Sequence, residues 1–284
     1  MQTRILVAET GADIPHELVQ QYGLVIVPMH VSFGNKTYDD GTIPVSQIFE
    51  HYENTGELPK TSGSTPEDFT QAFNAIEQEH PGAQIVHLAY SAVTTCSYES
   101  ALTAAEGHTN ITSYDTKSVT AGQAMVVLSI AELLKSNPDL SNEALDEAIH
   151  DRINRIRMAF LPGSLEFLRA GGRLSNAAYL GAHLLRIKPV VEILEGKLVA
   201  TKKYRGSVMS AATKLMTEYP QQENLDRSQV FFIKSEGLAQ NIIDMAEAAA
   251  KEQGFESIQW ISTGNVISSH AGPGAFGIVG FTQA

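Results

Sequence analysis

The first half of the chain alternates short apolar runs with segments of helical periodicity, and this alternation constrains the fold more than any other feature. The apolar runs fall at residues 5–8, 24–33, 85–89 and 111–114, and the helical segments at residues 14–22, 44–54, 66–80, 97–106 and 121–135. Strands that alternate with helices favour a parallel sheet with crossover helices. The sequence therefore predicts a doubly wound, mostly parallel α/β domain over residues 1–158.

The second half follows a different pattern. Two segments at residues 189–194 and 197–204 flank Glu195-Gly196, which is typical of a tight β-hairpin. A helix is predicted at residues 165–170 and another at 177–185, and helices and strands alternate again beyond residue 208. An antiparallel pair among these elements predicts a second α/β domain with a mixed sheet, over residues 159–284.

Charge and composition argue against two classes of partner. The 284 residues include 20 basic and 32 acidic side chains, so the net charge is −12. Such a chain is repelled by nucleic acid and by anionic lipid surfaces. The basic stretch at residues 197–205 is an exception that could face an acidic partner.

Cysteine use and hydropathy favour a cytoplasmic protein. Cys96 is the single cysteine, which excludes an internal disulfide and fits a reducing compartment. The first residues enter a strand without an apolar signal core, and no apolar run is long enough to span a membrane. We therefore expect a soluble, cytoplasmic chain without a membrane span.

Turns rich in hydroxyl groups suggest a site for a small anionic group. Residues 61–65 contain four hydroxyls, of which Thr65 is explained as the N-cap of a helix that begins with Pro66. Thr61 and Ser62 remain as candidate ligand contacts. The turn at residues 91–97 follows a buried strand, and ligands bind at the carboxyl ends of strands in open parallel sheets. There Thr95 and Ser97 are candidate donors or simply helix caps.

Cys96 and His270 permit a second interpretation. A thiol at a helix N-terminus is activated as a nucleophile, and a histidine could serve as its base. His270 lies near Gly272, Pro273 and Gly274, in a segment expected to be a rigid loop between two strands. No nucleotide-binding glycine pattern and no histidine pair at helical spacing occurs, so neither a cofactor nor a metal is predicted. The sequence alone leaves binding and Cys96–His270 catalysis both open.

Five motifs in the right order make the chain resemble the DegV family, nearly end to end. Residues 9–15 are similar to the family's D-S-T-A-D-L-P, and residues 60–66 to its K-T-S-Q-P-S-P. The remaining matches are to Y-Q-S-A, to G-G-R-I-S with L-N-I-K-P, and to a closing H-x-G-P-G-A block, at residues 98–101, 171–175, 185–189 and 265–278.

The resemblance implies a two-domain α/β fold with a long-chain fatty acid held between the domains. In relatives of this kind, a separate ATP-binding kinase subunit phosphorylates the carboxylate of the bound acid. Carried over by motif, Thr61, Ser62, Thr95 and His270 would surround the carboxylate. The predicted supporting or partner-facing residues are Ser97, Arg173, Arg205, Gly272 and Gly274. The chain itself would then be a non-catalytic carrier, with the fatty acid and the kinase subunit as its partners.

Two departures from the family pattern bear on the head-group site. Glu9 stands where the family usually has aspartate, with Gly11 in place of a threonine, and the S-G-T turn has become Thr95-Cys96-Ser97. Three hypotheses follow: a fatty-acid-binding subunit, an acyl hydrolase that uses Cys96 and His270, and a binding module for another small anion.

Overall fold

The computed structural model describes residues 3–172 and 187–283. Its strands are β1 (Arg4–Glu9), β2 (Val25–Val27), β3 (His30–Phe33), β4 (Lys36–Asp39), β5 (Lys60–Ser62), β6 (Gln84–Ala89), β7 (Ile111–Asp115), β8 (Ile156–Leu161), β9 (Ile187–Leu194), β10 (Lys197–Arg205), β11 (Gln229–Lys234), β12 (Ser257–Ser262) and β13 (Phe276–Phe281). Its helices are α1 (His16–Tyr22), α2 (Ser46–Thr55), α3 (Pro66–Glu79), α4 (Ser97–Ala104), α5 (Thr120–Ser136), α6 (Asn142–Arg155), α7 (Leu165–Ala170), α8 (Val208–Gln222), α9 (Gln240–Glu252) and α10 (Asn265–Ala271).

Two sheets dominate the structure, and they confirm the predicted α/β class. The first half forms a four-stranded sheet in the order β2-β1-β6-β7, with every neighbouring pair parallel. The second half forms a six-stranded mixed sheet in the order β10-β9-β8-β13-β11-β12, in which only β11 and β12 pair in parallel. The predicted boundary at residue 158 stays a prediction; β8, which belongs to the second sheet, begins at Ile156.

Helix α5 joins the two sheets through a common core. Eleven of its residues are buried, and the helix is apolar on nearly all sides. Its Met125 belongs to the same buried cluster as Leu6 of β1 and Phe231 of β11. A helix that is apolar all round is typical of a position inside the core. Burial of each large side chain stabilises the fold by about 1.5–3 kcal/mol, so α5 fixes the two sheets relative to one another.

A third sheet was not predicted from the sequence. Residues 24–33, expected as one strand, divide into β2 and β3 on either side of Pro28. Proline lacks the N–H that a continuous central strand needs. Strand β3 then pairs antiparallel with β4 and with β5, and this brings Thr61 opposite Val31. The small sheet thus carries the first hydroxyl-rich turn toward the larger sheets.

The predicted β-hairpin is confirmed. Strands β9 and β10 pair antiparallel around Glu195 and Gly196, whose φ angles are 47° and 78°. Two positive φ values match the turn type that suits the twist of a two-residue hairpin. The predicted helix at residues 165–170 is confirmed as α7, whereas the one predicted at residues 177–185 lies outside the described residues.

Across the described ranges, no helix is both long enough and apolar enough to cross a membrane.

Candidate functional site

A cavity of about 280 Å³ lies between the two large sheets and beneath the small one. Most of its wall is apolar, and its polar groups are hydroxyls, a thiol and an imidazole. The described lining residues are Met29, Thr61, Ser62, Gly63, Tyr90, Thr94, Thr95, Cys96, Val119, Thr120, Met158, Phe160, Leu168, Leu198, Ile233, Thr263, Val266, Ile267, His270, Ala271 and Ala275. None of these side chains carries a formal charge apart from the titratable imidazole of His270.

The structure brings together the polar residues that the sequence singled out. Thr61 on β5 and His270 on α10 are hydrogen-bonded, with Thr61 Oγ1 and His270 Nε2 2.8 Å apart. Ser62 and Thr95 line the same cavity. We call the end of the cavity formed by Thr61, Ser62, Thr95 and His270 the head-group end. It offers hydroxyl and imidazole groups that can hydrogen-bond either a carboxylate or a neutral carboxylic acid.

His270 lies on a helix, and the expectation that it occupies a loop is wrong. Helix α10 spans Asn265–Ala271 and places His270 in its last turn; the glycine-rich loop begins at Gly272. Carboxylates from two distant segments accept the free N–H groups at its start. Asp13 Oδ1 lies 2.8 Å from the Gly264 nitrogen, and Asp40 Oδ1 lies 2.8 Å from the Asn265 nitrogen. These contacts substitute for a local cap, which the sequence around Gly264 does not supply.

Burial changes the acidity of both capping carboxylates. Burial raises the pKa of Asp13 well above its ordinary value, and repulsion from Asp40 raises it further. Burial also raises the pKa of Asp40, against the opposing effect of the hydrogen bonds it accepts from Val266 and other donors. Because the charge of Asp40 raises the pKa of Asp13, ionisation of Asp40 disfavours ionisation of Asp13.

Gly63 allows the two hydroxyl-rich turns to touch. A Cβ atom at this position would lie 2.2 Å from Thr95 Oγ1 and 2.6 Å from Ser97 Oγ. The buried Ser97 hydroxyl accepts a hydrogen bond from the Ser64 nitrogen at 3.0 Å. Ser97 therefore joins the turns, and it is absent from the described lining of the cavity. Sequence reasoning missed Gly63, because a glycine gives no indication of what approaches it.

Gly171 has a similar role beside His270. A Cβ atom on Gly171 would lie 2.1 Å from His270 Nδ1. The sequence explained the Gly171-Gly172 pair only as a chain reversal, whereas the structure shows that Gly171 leaves room for the imidazole. Arg173, the next residue of the motif, lies outside the described residues.

The remaining candidates lie around the site. Gly272 has a φ of 72°, and a Cβ there would approach Ser164 to 2.8 Å, so this glycine lets two loops meet. Gly274 donates its N–H to the Glu236 carbonyl at 2.9 Å and does not line the cavity. Arg205 is exposed at the end of β10, away from the described lining. Cys96 lines the cavity that His270 also lines, which the sequence could not predict.

The fold and the cavity together define an α/β protein of two large sheets and a small one, with a largely apolar cavity that has an uncharged polar end. Comparison with known sequences gives a more specific assignment: the model of the DegV family matches residues 4–283, and the chain belongs to that family. A DegV domain-containing protein of Caldanaerobacter subterraneus subsp. tengcongensis is 26% identical over an alignment of 286 positions, which covers 98% of each chain.

Solved structures share the same fold. A DegV family protein from Thermus thermophilus, described as binding fatty acid, is 26% identical, with a TM-score of 0.88 over 99% of this chain and 100% of its own. The fatty acid kinase B3 protein of Streptococcus pneumoniae, solved with linoleic acid, gives a TM-score of 0.85 at 18% identity over 99% of this chain and 100% of its own. At 18% identity, this similarity shows only that the two proteins share a fold.

Proposed function

We propose that this chain binds a long-chain fatty acid in the cavity between its sheets and presents the carboxyl group to a separate ATP-dependent kinase subunit in the cytoplasm. The observation that carries the proposal is the pairing of an apolar cavity with the Thr61–His270 hydrogen bond at its head-group end. The Thermus thermophilus relative, which is described as binding fatty acid, supports the choice of ligand.

Burial of an acyl chain in the cavity lowers the free energy of the complex, whereas burial of its carboxylate raises it unless the carboxylate is hydrogen-bonded. Each methylene that leaves water contributes about 0.8 kcal/mol, so ten of them contribute about 8 kcal/mol, within the range of the association cost of roughly 4–15 kcal/mol. An unpaired carboxylate in an apolar cavity would cancel that gain. Hydroxyls of Thr61, Ser62 and Thr95, with the imidazole of His270, provide the hydrogen bonds that prevent this. The lining thus matches both parts of a fatty acid.

The kinase part of the proposal rests on the site's chemistry and on the family resemblance. Phosphoryl transfer needs groups that bind a nucleotide and its metal. The described lining of the cavity contains no carboxylate that could hold such a metal and no lysine or arginine that could bind the phosphates. A carrier that offers its carboxyl to another subunit is consistent with a site built from hydroxyls and one imidazole. Exposed Arg205 is the proposed contact for that subunit.

Lipid analysis of the purified protein tests the ligand. Native mass spectrometry followed by lipid extraction should find a fatty acid, and titration of the delipidated protein with palmitic acid should give saturable binding. Thr61→Ala and His270→Ala should each weaken binding about tenfold, because each loses a hydrogen bond to the head group. Thr217→Ala and His150→Ala are matched controls, since both residues lie on exposed helix surfaces. A delipidated protein that ignores palmitic acid would refute the ligand assignment.

The acyl hydrolase remains a second candidate because Cys96 and His270 line one cavity. Hydrolysis of acyl esters that Cys96→Ala abolishes would favour it. Formation of acyl phosphate only when ATP and a fatty acid kinase subunit are added, with full activity in Cys96→Ala, would support the carrier. Acyl phosphate formed by the isolated chain would contradict the carrier role while leaving fatty-acid binding intact.

A further inference from the structure

A second crevice adjoins the cavity along strand β8. We call it the tail crevice; its wall includes Lys117, Ser118, Ile153, Ile193, Leu194 and Glu195, and its volume is about 280 Å³. Met158 lines both the cavity and the tail crevice. The two spaces are therefore neighbours, with the Met158 side chain between them.

Strand β8 shows how the two spaces are aligned. Ile156 lines the tail crevice, Met158 lines both spaces and Phe160 lines the cavity. Alternate residues of a strand share a face and are separated by roughly 6.6 Å. Beyond Phe160 the chain reaches Gly163, whose N–H donates to the Ala271 carbonyl next to His270. The direction from His270 to the tail crevice thus runs backward along β8, past Met158.

Two other elements also contribute neighbouring residues to the two spaces, one residue to the cavity and the next to the tail crevice. In the segment before α5, Ser118 lines the tail crevice and Val119 lines the cavity. In the hairpin, Ile193 and Leu198 are cross-strand partners, and Ile193 lies in the tail crevice whereas Leu198 lies in the cavity. Three independent elements therefore place the boundary at Met158.

Met158 is suited to move. Its side chain is 3% exposed, and its sulfur lies 3.2 Å from the point where a Cβ on Gly122 would be. Gly122 thus provides the space that the thioether occupies. Methionine is unbranched and adapts its rotamers more readily than other large apolar residues.

The tail crevice combines apolar side chains with charged groups that are paired with each other. Besides Met158, its apolar residues are Ile153, Ile156, Ile193 and Leu194, and its charged residues are Lys117, Arg157, Glu195 and Glu223. Arg157 Nε lies 3.1 Å from Glu223 Oε2, and Lys117 Nζ lies 2.8 Å from Glu195 Oε2. Leu194 is 44% exposed, so a ligand that covered it would remove apolar surface from water.

We propose that Met158 is a movable partition and that the ends of long acyl chains pass it into the tail crevice. The inference rests on the proposed fatty-acid function and extends it to a chain-length preference. The cavity alone, at 280 Å³, falls just below the roughly 300–1,000 Å³ usual for pockets that enclose a small molecule. Acids that fill the cavity and continue into the tail crevice bury more methylenes, so longer acids bind more tightly.

The test is a comparison of decanoic, palmitic and octadecanoic acid binding to the full chain and its variants. Each methylene that leaves water should tighten binding roughly fourfold, so the wild-type affinity should still rise from palmitic to octadecanoic acid. Leu194→Asn places an amide in the tail crevice at an exposed position, where folding tolerates it. It should weaken octadecanoic acid about fivefold and leave decanoic acid within about twofold. Met158→Trp should have the same selectivity by blocking the passage.

Leu102→Asn is the matched control, since Leu102 is 40% exposed and lines neither space. An unchanged ratio of octadecanoic to decanoic affinity in Leu194→Asn would overturn the tail crevice as a subsite, even if Met158→Trp failed to fold. In that case palmitic acid binding to the wild type would still uphold the proposed function. Failure of every acid to bind the wild type would instead overturn both.

Discussion

Replacement of Gly171 by alanine should damage the site without damaging the fold. The φ and ψ angles of Gly171 are −73° and 0°, which alanine adopts without strain. An added Cβ, however, would lie 2.1 Å from His270 Nδ1. The imidazole has to withdraw by about 1 Å or more to restore an ordinary contact. The Thr61–His270 distance, now 2.8 Å, would then exceed the range of a hydrogen bond.

The size of the effect follows from that hydrogen bond. Its loss, and the misplacement of the imidazole relative to a bound carboxyl, should weaken palmitic acid binding by about 1–1.5 kcal/mol, or roughly tenfold. The free energy of unfolding should change by no more than about 1 kcal/mol, because alanine also restricts the unfolded chain. Isothermal titration with palmitic acid measures the first quantity, and urea denaturation of the ligand-free protein measures the second.

Gly172 provides the matched control. Its φ is 72°, and a Cβ there would meet nothing within 4 Å. Gly172→Ala should therefore cost about 1 kcal/mol of stability through backbone strain and leave palmitic acid binding unchanged. Wild-type affinity in Gly171→Ala, or equal losses of affinity in both variants, would refute a direct role for the space beside His270.

Three further predictions concern the supports of the site. Because the pKa of Asp13 is raised in the folded protein, its contribution to stability is present below its ordinary pKa of 3.8 and is lost as the pH rises through the folded value. Urea denaturation across this pH range should show that the free energy of unfolding falls less with rising pH in Asp13→Asn than in the wild type. The same pH dependence in both proteins would contradict a raised pKa at Asp13. Gly63→Ala should cost about 1–3 kcal/mol by forcing the two turns apart, part of which Thr95→Ala should restore in the double variant; simple additivity would argue against contact. Thr65→Ala should cost about 0.5–2 kcal/mol through loss of the α3 capping box, whereas Thr70→Ala in the exposed helix interior should cost less, as thermal unfolding can show.

The parts of the fold that follow from local patterns could be predicted. The periodicity of the first half predicted a parallel sheet, Thr65-Pro66 predicted the start of α3, and Glu195-Gly196 predicted the hairpin. Each depends on residues that are close in sequence. The small sheet was missed because its strands are three or four residues long, which is too short to show an alternating pattern.

The candidate site could be predicted only in its residue types. Hydroxyl turns and a lone histidine indicated polar groups, but the 209 residues between Thr61 and His270 hide their contact from any local pattern. Helix α10 was mistaken for a loop because its N-terminal N–H groups are accepted by Asp13 and Asp40, far away in the sequence. A carboxylate that caps a helix from a distant part of the sequence leaves no local signal.

The departures from the family pattern at Gly63 and at Thr95-Cys96-Ser97 compensate each other sterically. The family pattern carries a glutamine at the position of Gly63 and a glycine inside the following hydroxyl turn, whereas this chain has the glycine in the first turn and side chains in the second. The Thr95 and Ser97 hydroxyls occupy the space that any side chain at position 63 would need. In this chain the side chains of Thr95 and Ser97 therefore fill the space between the two turns, in place of a side chain at position 63. Thr61, Ser62 and Gly63 line the cavity together with Thr95 and Cys96, so both turns still supply its wall after the exchange.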